Sequence, residues 1–185
     1  MTLLREYTDA LRRLLNGERV SVKGRYVTLD DVALDWPPLT EPALLLGGSG
    51  PKTLQLTGEL GDGTLLTCAL TDDEVRDACT VISAATSDRS SKPVVHDILA
   101  TQIAATGPGA QQRVDDEVPR WGRPAGQGIG VAGDAAAIAA SVLRLASFGA
   151  TAVAIQPTED EPDLEEFVGF LGSEVRPLLR TLNAS

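Results

Sequence analysis

The stretch best suited to chemistry is Gly47-Gly48-Ser49-Gly50-Pro51-Lys52-Thr53. It follows the apolar run Ala43-Leu44-Leu45-Leu46 and precedes Leu54, Leu56 and Leu60 at helical spacing. This order reads as a buried strand, a tight glycine turn and a helix opened by Pro51. Such a turn presents backbone N–H groups at the positive end of a helix dipole, with no side chains to block close approach, which suits a phosphate. Lys52 adds a cation. The same glycines would equally serve a tight βα turn that holds no ligand. Two nucleotide fingerprints are excluded. Gly48-Ser49-Gly50 lacks the third glycine of the dinucleotide motif, and Pro51 before Lys52 breaks the ending of a P-loop.

Other chemically able residues are scattered. His96 is the single histidine, placed in an expected strand. It could serve as a general base near neutral pH, but a lone strand histidine more often has a structural role, which we expect here. Asp97 is its sequence neighbour and faces the other side of a strand, so the two form no dyad. No second histidine or paired cysteine accompanies His96, and no metal site is expected. Thr67 and Cys68 fall near the C-terminal end of a strand, where one could line a pocket and packing is the default role. Glu159, Asp160, Glu161, Asp163, Glu165 and Glu166 form an acidic run at a helix start, where negative charge suits the dipole, so a solvated cap is expected. Arg113, Arg120, Trp121 and Arg123 could form a lid over an anionic ligand, or simply a surface loop.

The elements that must position these residues follow from periodicity. Leu3, Leu4, Tyr7, Leu11, Leu14 and Leu15 mark an amphipathic helix stopped at Gly17. Residues 20–29 read as a small hairpin or an extended crossover, and Trp36-Pro37-Pro38 with Pro42 as a stiff linker into the strand at 43–47. A helix over 51–60 leads to a strand at 64–69. Thr71-Asp72-Asp73-Glu74 has the capping-box pattern for the next helix. Residues 93–104 are a third strand. Residues 105–133 read as a long loop or lid containing a weak helical stretch near Gln111–Val118. Asp134 caps a helix ending at Gly149, 150–156 is a fourth strand, and the final helix is expected to kink near Pro177. Strand–helix alternation of this kind predicts an α/β fold, with about four parallel strands and outer helices.

Length and charge narrow the function classes. A chain of 185 residues reads as one domain, 1–185, able to bury a sizeable core. A net charge of −10 argues against a nucleic-acid or anionic-membrane partner. No apolar run is long enough to span a bilayer. The opening Met1-Thr2-Leu3-Leu4-Arg5-Glu6 is helical and charged, unlike a signal peptide. Cys68 and Cys79 lie apart without metal spacing and are expected to be reduced and buried, as in a cytoplasmic protein.

Taken together, these segments resemble the luciferase-like monooxygenase family. The resemblance is carried by Leu15-Asn16-Gly17-Glu18-Arg19-Val20-Ser21 and Gly24-Arg25-Tyr26. It continues through Trp36-Pro37-Pro38, Leu44 to Lys52 and Gly58-Glu59-Leu60-Gly61-Asp62-Gly63. Gly133-Asp134, Leu145-Ala146, Gly149-Ala150 and Gln156-Pro157 complete it. The resemblance implies a (β/α)8 TIM barrel, here partial, and a flavin- or deazaflavin-dependent oxidoreductase or monooxygenase. It also implies that Gly47, Gly48, Ser49, Gly50, Pro51, Lys52 and Thr53 contact the cofactor phosphate, the cofactor being deazaflavin coenzyme F420 or FMN. A small-molecule substrate is implied as well.

A full barrel needs about 250 residues, and the segments that match are those of the family's C-terminal half. The half that carries the usual catalytic residues is expected to be missing, so the chain is expected to be incomplete for catalysis. The alternative is a non-catalytic half-barrel that self-associates or pairs with a partner half, and on either reading a homo-oligomer is expected. A third possibility, an unrelated phosphate-binding barrel, explains the glycine turn but not the flanking segments.

Overall fold

The structure is a computed structural model that describes residues 2–87, 96–124 and 126–182. Pro93, Val94 and Val95, expected to begin the third strand, lie outside the described residues. The chain forms two compact units, residues 1–65 with 81–97 and residues 66–80 with 98–185. Each is described by itself.

The first unit opens with α1 (Thr2–Leu15), followed by the antiparallel hairpin β1 (Val20–Lys23) and β2 (Thr28–Val32). The Glu6 carboxylate accepts N–H bonds from Arg25, Tyr26 and Val27 at 3.0, 2.8 and 3.0 Å, tying the hairpin turn to α1. The leucine stripe of α1 is only partly covered, with Leu4, Leu11, Leu14 and Leu15 half-buried. Thr8 and Ala10 are buried, whereas Leu3 and Tyr7 are exposed. Periodicity located the stripe but could not tell what, if anything, covers it.

Next come β3 (Leu45–Gly47), α2 (Pro51–Leu60) and β4 (Gly63–Leu65), a parallel βαβ unit in which Leu45 pairs with Gly63 and Gly47 with Leu65. The helix starts at Pro51, as its fixed φ and missing N–H allow. Leu54 and Leu56 bury its inner side. At Gly58 it meets α3 (Asp72–Ser87): a Cβ there would lie 2.9 Å from both the Ile82 carbonyl oxygen and Ala85 Cβ, so a bare backbone is required.

Asp62 sets the register. Its Oδ2 accepts the Leu44 N–H at 2.9 Å and the Arg12 guanidinium at 3.0 Å. The Asp62 N–H donates back to the Leu44 carbonyl at 2.9 Å. Arg12 also donates to the Leu60 carbonyl at 3.1 Å, closing the end of α2. One carboxylate thus links α1, the approach to β3 and the approach to β4.

The second unit is built on β5 (Asp97–Ala105), flanked in parallel by β6 (Val131–Ala132) and β7 (Ala152–Pro157). The two residues of β6 fall at the end of the segment read from sequence as a loop; so short a strand carries no period to detect. Alternation along β5 feeds two cores. Ile103 and Ala105 pack with Cys68, Val114 and Val118, while Ala104 packs with Ile138, Phe167 and Val175. Residues 105–133 contain α4 (Ala110–Glu117) and a 3-10 turn over Val118–Trp121, anchored by the buried Val114 and Val118.

Local capping follows the sequence rules. Thr71 N–H donates to Glu74 Oε2 at 2.8 Å and Glu74 N–H to Thr71 Oγ1 at 3.3 Å, a reciprocal box at the start of α3. Asp134 Oδ1 accepts the Ala137 N–H at 2.9 Å and opens α5 (Ala135–Ser147). The last helical stretch runs as α6 (Leu164–Phe170), a π-turn over Leu171–Val175, and α7 (Arg176–Leu182). The irregularity precedes Pro177, whose ring would clash with the carbonyl four residues earlier; the backbone widens there. Among the described residues, no helix is long and apolar enough to cross a membrane.

Two outcomes test this account. Asp62→Ala leaves the Leu44 N–H and one Arg12 donor without their partner, and should cost about 2–3 kcal/mol in urea unfolding. The second concerns pH. The Thr71 N–H, more than the Arg123 guanidinium, holds the Glu74 carboxyl below its ordinary value despite partial burial. A carboxyl with a lowered folded-state pKa stabilises above the ordinary carboxylate range, and that stability is lost as pH falls through the folded value. The urea midpoint should therefore fall on acidification below about pH 4, and fall less steeply in Glu74→Gln.

Candidate functional site

The glycine turn lies at the C-terminal end of β3, the end at which α/β folds gather their ligands. Gly50 occupies the N-cap of α2 with extended backbone (φ −90°, ψ 152°) and no capping side chain. Its carbonyl accepts the N–H groups of Thr53 and Leu54, both at 2.9 Å. The turn has one closed and one open side. A Cβ on Gly48 would sit 2.9 Å from Thr53 Cγ2, whereas Cβ atoms on Gly47 or Gly50 would meet nothing within 4 Å. Gly47, Ser49, Pro51 and Lys52 are exposed. The turn therefore offers backbone donors, the positive end of α2 and the Lys52 ammonium group to an anion arriving from solvent.

His96 belongs elsewhere. It stands one residue before β5, at the strand's N-terminal end, opposite to where barrel chemistry occurs. Its Nε2 lies 2.8 Å from Thr64 Oγ1. Thr64 Oγ1 donates to Thr57 Oγ1 at 2.8 Å, which in turn donates to the Leu54 carbonyl at 2.8 Å. With both hydroxyl protons committed, Thr64 must accept from His96 Nε2–H, which fixes the proton on that nitrogen. Thr57 and Thr64 are completely buried. The string joins β4 to the core side of α2.

At the start of the second unit, Thr67 is exposed and Cys68 is buried. The Cys68 thiol donates to Gln156 Oε1 at 2.9 Å. Burial, reinforced by the Glu117 carboxylate, pushes the thiol up to about 11, so it is a packing residue rather than a nucleophile. Ala69 next to it is buried and holds a left-handed φ of 60°, a local strain.

The arginines considered as a lid over an anion are engaged internally. Arg113 bonds the Thr106 carbonyl at 2.7 Å and faces Glu161 at 3.4 Å. Arg120 pairs with Glu159. Arg123 holds both oxygens of Glu74 at 2.8 and 2.7 Å. Trp121 Nε1 donates to Glu117 Oε1 at 3.0 Å. These pairings match arginines to carboxylates 39 to 49 residues away or at helical spacing, and the long-range ones leave no local signal. The acidic run acts partly as a cap, since Asp163 Oδ1 accepts the Glu166 N–H at 2.9 Å. Sequence reasoning missed Glu117 and placed Glu161 in a solvated cap, whereas both side chains are almost wholly buried. Among the described residues, no three His, Cys, Asp or Glu side chains are grouped closely enough to hold a metal ion.

For His96, the expected result is a change in stability alone. His96→Asn should lower the unfolding free energy by about 1–3 kcal/mol, as the buried threonine pair loses its donor. Any measurable turnover should stay within about tenfold, or about 1.4 kcal/mol in the barrier.

Comparison with known proteins follows this geometry. Residues 1–116 match the luciferase-like monooxygenase family. The 5,10-methylenetetrahydromethanopterin reductase of Archaeoglobus fulgidus is 36% identical over 63 residues, which is 34% of this chain and 19% of that protein. The F420-dependent hydroxymycolic acid dehydrogenase of Mycobacterium tuberculosis is 38% identical over 53 residues, 29% of this chain and 15% of that protein. The solved coenzyme F420-dependent tetrahydromethanopterin reductase of Methanopyrus kandleri superposes with a TM-score of 0.76 at 19% identity. That match covers 96% of this chain but 63% of the reductase, so the chain spans less than two thirds of the length of each of these proteins. A family match across more than half of the sequence, over a parallel α/β fold with a glycine turn at a strand's C-terminal end, places this chain in the luciferase-like monooxygenase family.

Proposed function

We propose that this chain carries the phosphate-binding end of the cofactor site of a cytoplasmic F420-dependent oxidoreductase acting on a small molecule. The observation that carries the proposal is the turn Gly47–Thr53. Its open side would let an anion reach the backbone of Gly47 to Gly50, while Lys52 supplies charge. F420 is preferred to FMN because two of the similar proteins are named for it. When bound, the cofactor supplies the redox chemistry. The chain's own part is to hold the phosphate at the N-terminus of α2 and so fix where the ring lies. Residues that complete catalysis are not assigned within the chain, which we read as incomplete for turnover. The two free, buried cysteines are in keeping with a reducing compartment.

A second reading rests on a separate observation. Leu45 and Leu65 lie on one face of the β3–β4 pair and remain 44% and 41% exposed. Large aliphatic side chains left open on a strand face favour association, either with a second copy or with a partner half. On this reading the chain is a non-catalytic half-barrel. Sedimentation equilibrium over a wide concentration range tests it: self-association is expected, and a stable monomer that binds no hydrophobic dye would remove the reading.

The cofactor proposal is tested by calorimetric titration with F420 and with FMN. Gly48→Val collides with Thr53 and should weaken binding strongly. Lys52→Ala removes one exposed charge and should cost about 1 kcal/mol. F420 should bind more tightly than FMN. Unchanged affinity in the Gly48 variant would remove the turn from the site.

A further inference from the structure

A cavity of about 620 Å³ lies in the second unit, between the segment that follows β5 and the helical stretch that follows β7. Its size falls in the range of small-molecule sites, roughly 300–1,000 Å³. Thr106, Pro108 and Arg113 line one side, and Glu161, Phe170 and Glu174 the other. Glu166 lies at the same rim, and the π-turn at 171–175 contributes part of the wall.

Glu161 is the informative residue. Its side chain is only 6% exposed, yet its carboxylate contacts are long: 3.4 Å to Arg113 Nη2 and 3.4 Å from the Asp163 N–H. Good N–H···O bonds are about 2.7–3.2 Å, and charged ones are shorter still. The same guanidinium makes its shorter bonds elsewhere, to the Thr106 carbonyl at 2.7 Å and the Pro108 carbonyl at 3.1 Å. A buried carboxylate on a cavity wall is therefore short of donors, a costly condition unless a ligand supplies them.

The chemistry of that ligand follows from the rest of the lining. Arg113 balances one carboxylate, which leaves the cavity with an excess of negative charge from Glu166 and Glu174. A metal ion is disfavoured: the carboxylates are too dispersed to meet on one ion. Phe170, Pro108 and Pro162 offer apolar walls, and an aromatic face attracts a cation as well as a methylene chain. We propose that this cavity binds a primary alkylammonium compound of diamine type, with one ammonium group donating to Glu161 and the other lying between Glu166 and Glu174. The proposal does not rest on the reading given to the glycine turn.

The probe is 1,5-diaminopentane, titrated by calorimetry and amide chemical shift into the intact chain at about 0.15 M salt, where exposed charges are largely screened. Saturable one-to-one binding is expected, with shifts at Thr106, Glu161 and Phe170. Glu161→Gln should weaken it at least tenfold. Glu174→Gln, at an exposed position that the fold does not use, should weaken it several-fold and keeps the test valid if the Glu161 variant is unstable. Asp30→Asn, in the β1–β2 hairpin, should leave it unchanged. The proposal is overturned if the wild-type chain shows no saturable binding at millimolar diamine. It is also overturned if 1,5-pentanediol binds equally well, or if all three variants behave alike.

Discussion

The Asp62 carboxylate is the interaction on which the candidate site depends. Strand β3 is three residues long and β4 is three, too few for pairing alone to fix a register. Asp62 supplies what the ladders lack by holding the Leu44 N–H at one strand's entrance and standing one residue before the other. Arg12 brings α1 and the last carbonyl of α2 to the same point. Once the entrances of β3 and β4 are level, the exit of β3 is fixed, and with it the Gly47–Thr53 turn. The site at one end of the strand is thus positioned by a charge at the other.

Side chains then divide the labour in a way that separates scaffold from chemistry. The threonine string from His96 through Thr64 and Thr57 to the Leu54 carbonyl engages the half-buried lone histidine in a structural role. Cys68 is spent on packing and on Gln156. The arginines of 105–133 are spent on Glu74, Glu159 and Glu161. After this accounting the glycine turn is left with Gly47, Ser49 and Lys52 exposed. That suits a family in which the cofactor does the difficult chemistry and the protein orients it.

What could be read from the sequence was what short-range physics decides. Pro51 opened α2 at the expected residue, Thr71 and Glu74 formed their box, Asp134 capped α5, and the hairpin at β1–β2 appeared where alternation placed it. The glycine turn was legible for the same reason, being seven consecutive residues between a strand and a helix. Long-range pairing left no trace in the sequence. Nothing local says that Arg123 reaches Glu74 or that Glu117 is buried, and the stripe of α1 gives no hint that Leu3 and Tyr7 stay exposed. The kink expected near Pro177 was right in cause, but the backbone absorbs it as a π-turn ending two residues earlier.

The central claim is that an anionic cofactor group sits on the backbone of the glycine turn. The most direct measurement is the change in amide ¹⁵N and ¹H shifts of the labelled chain during titration with F420. The account predicts the largest changes at Gly48, Ser49, Gly50 and Lys52, saturating together with the calorimetric isotherm. Saturable binding with those four amides unmoved would contradict it.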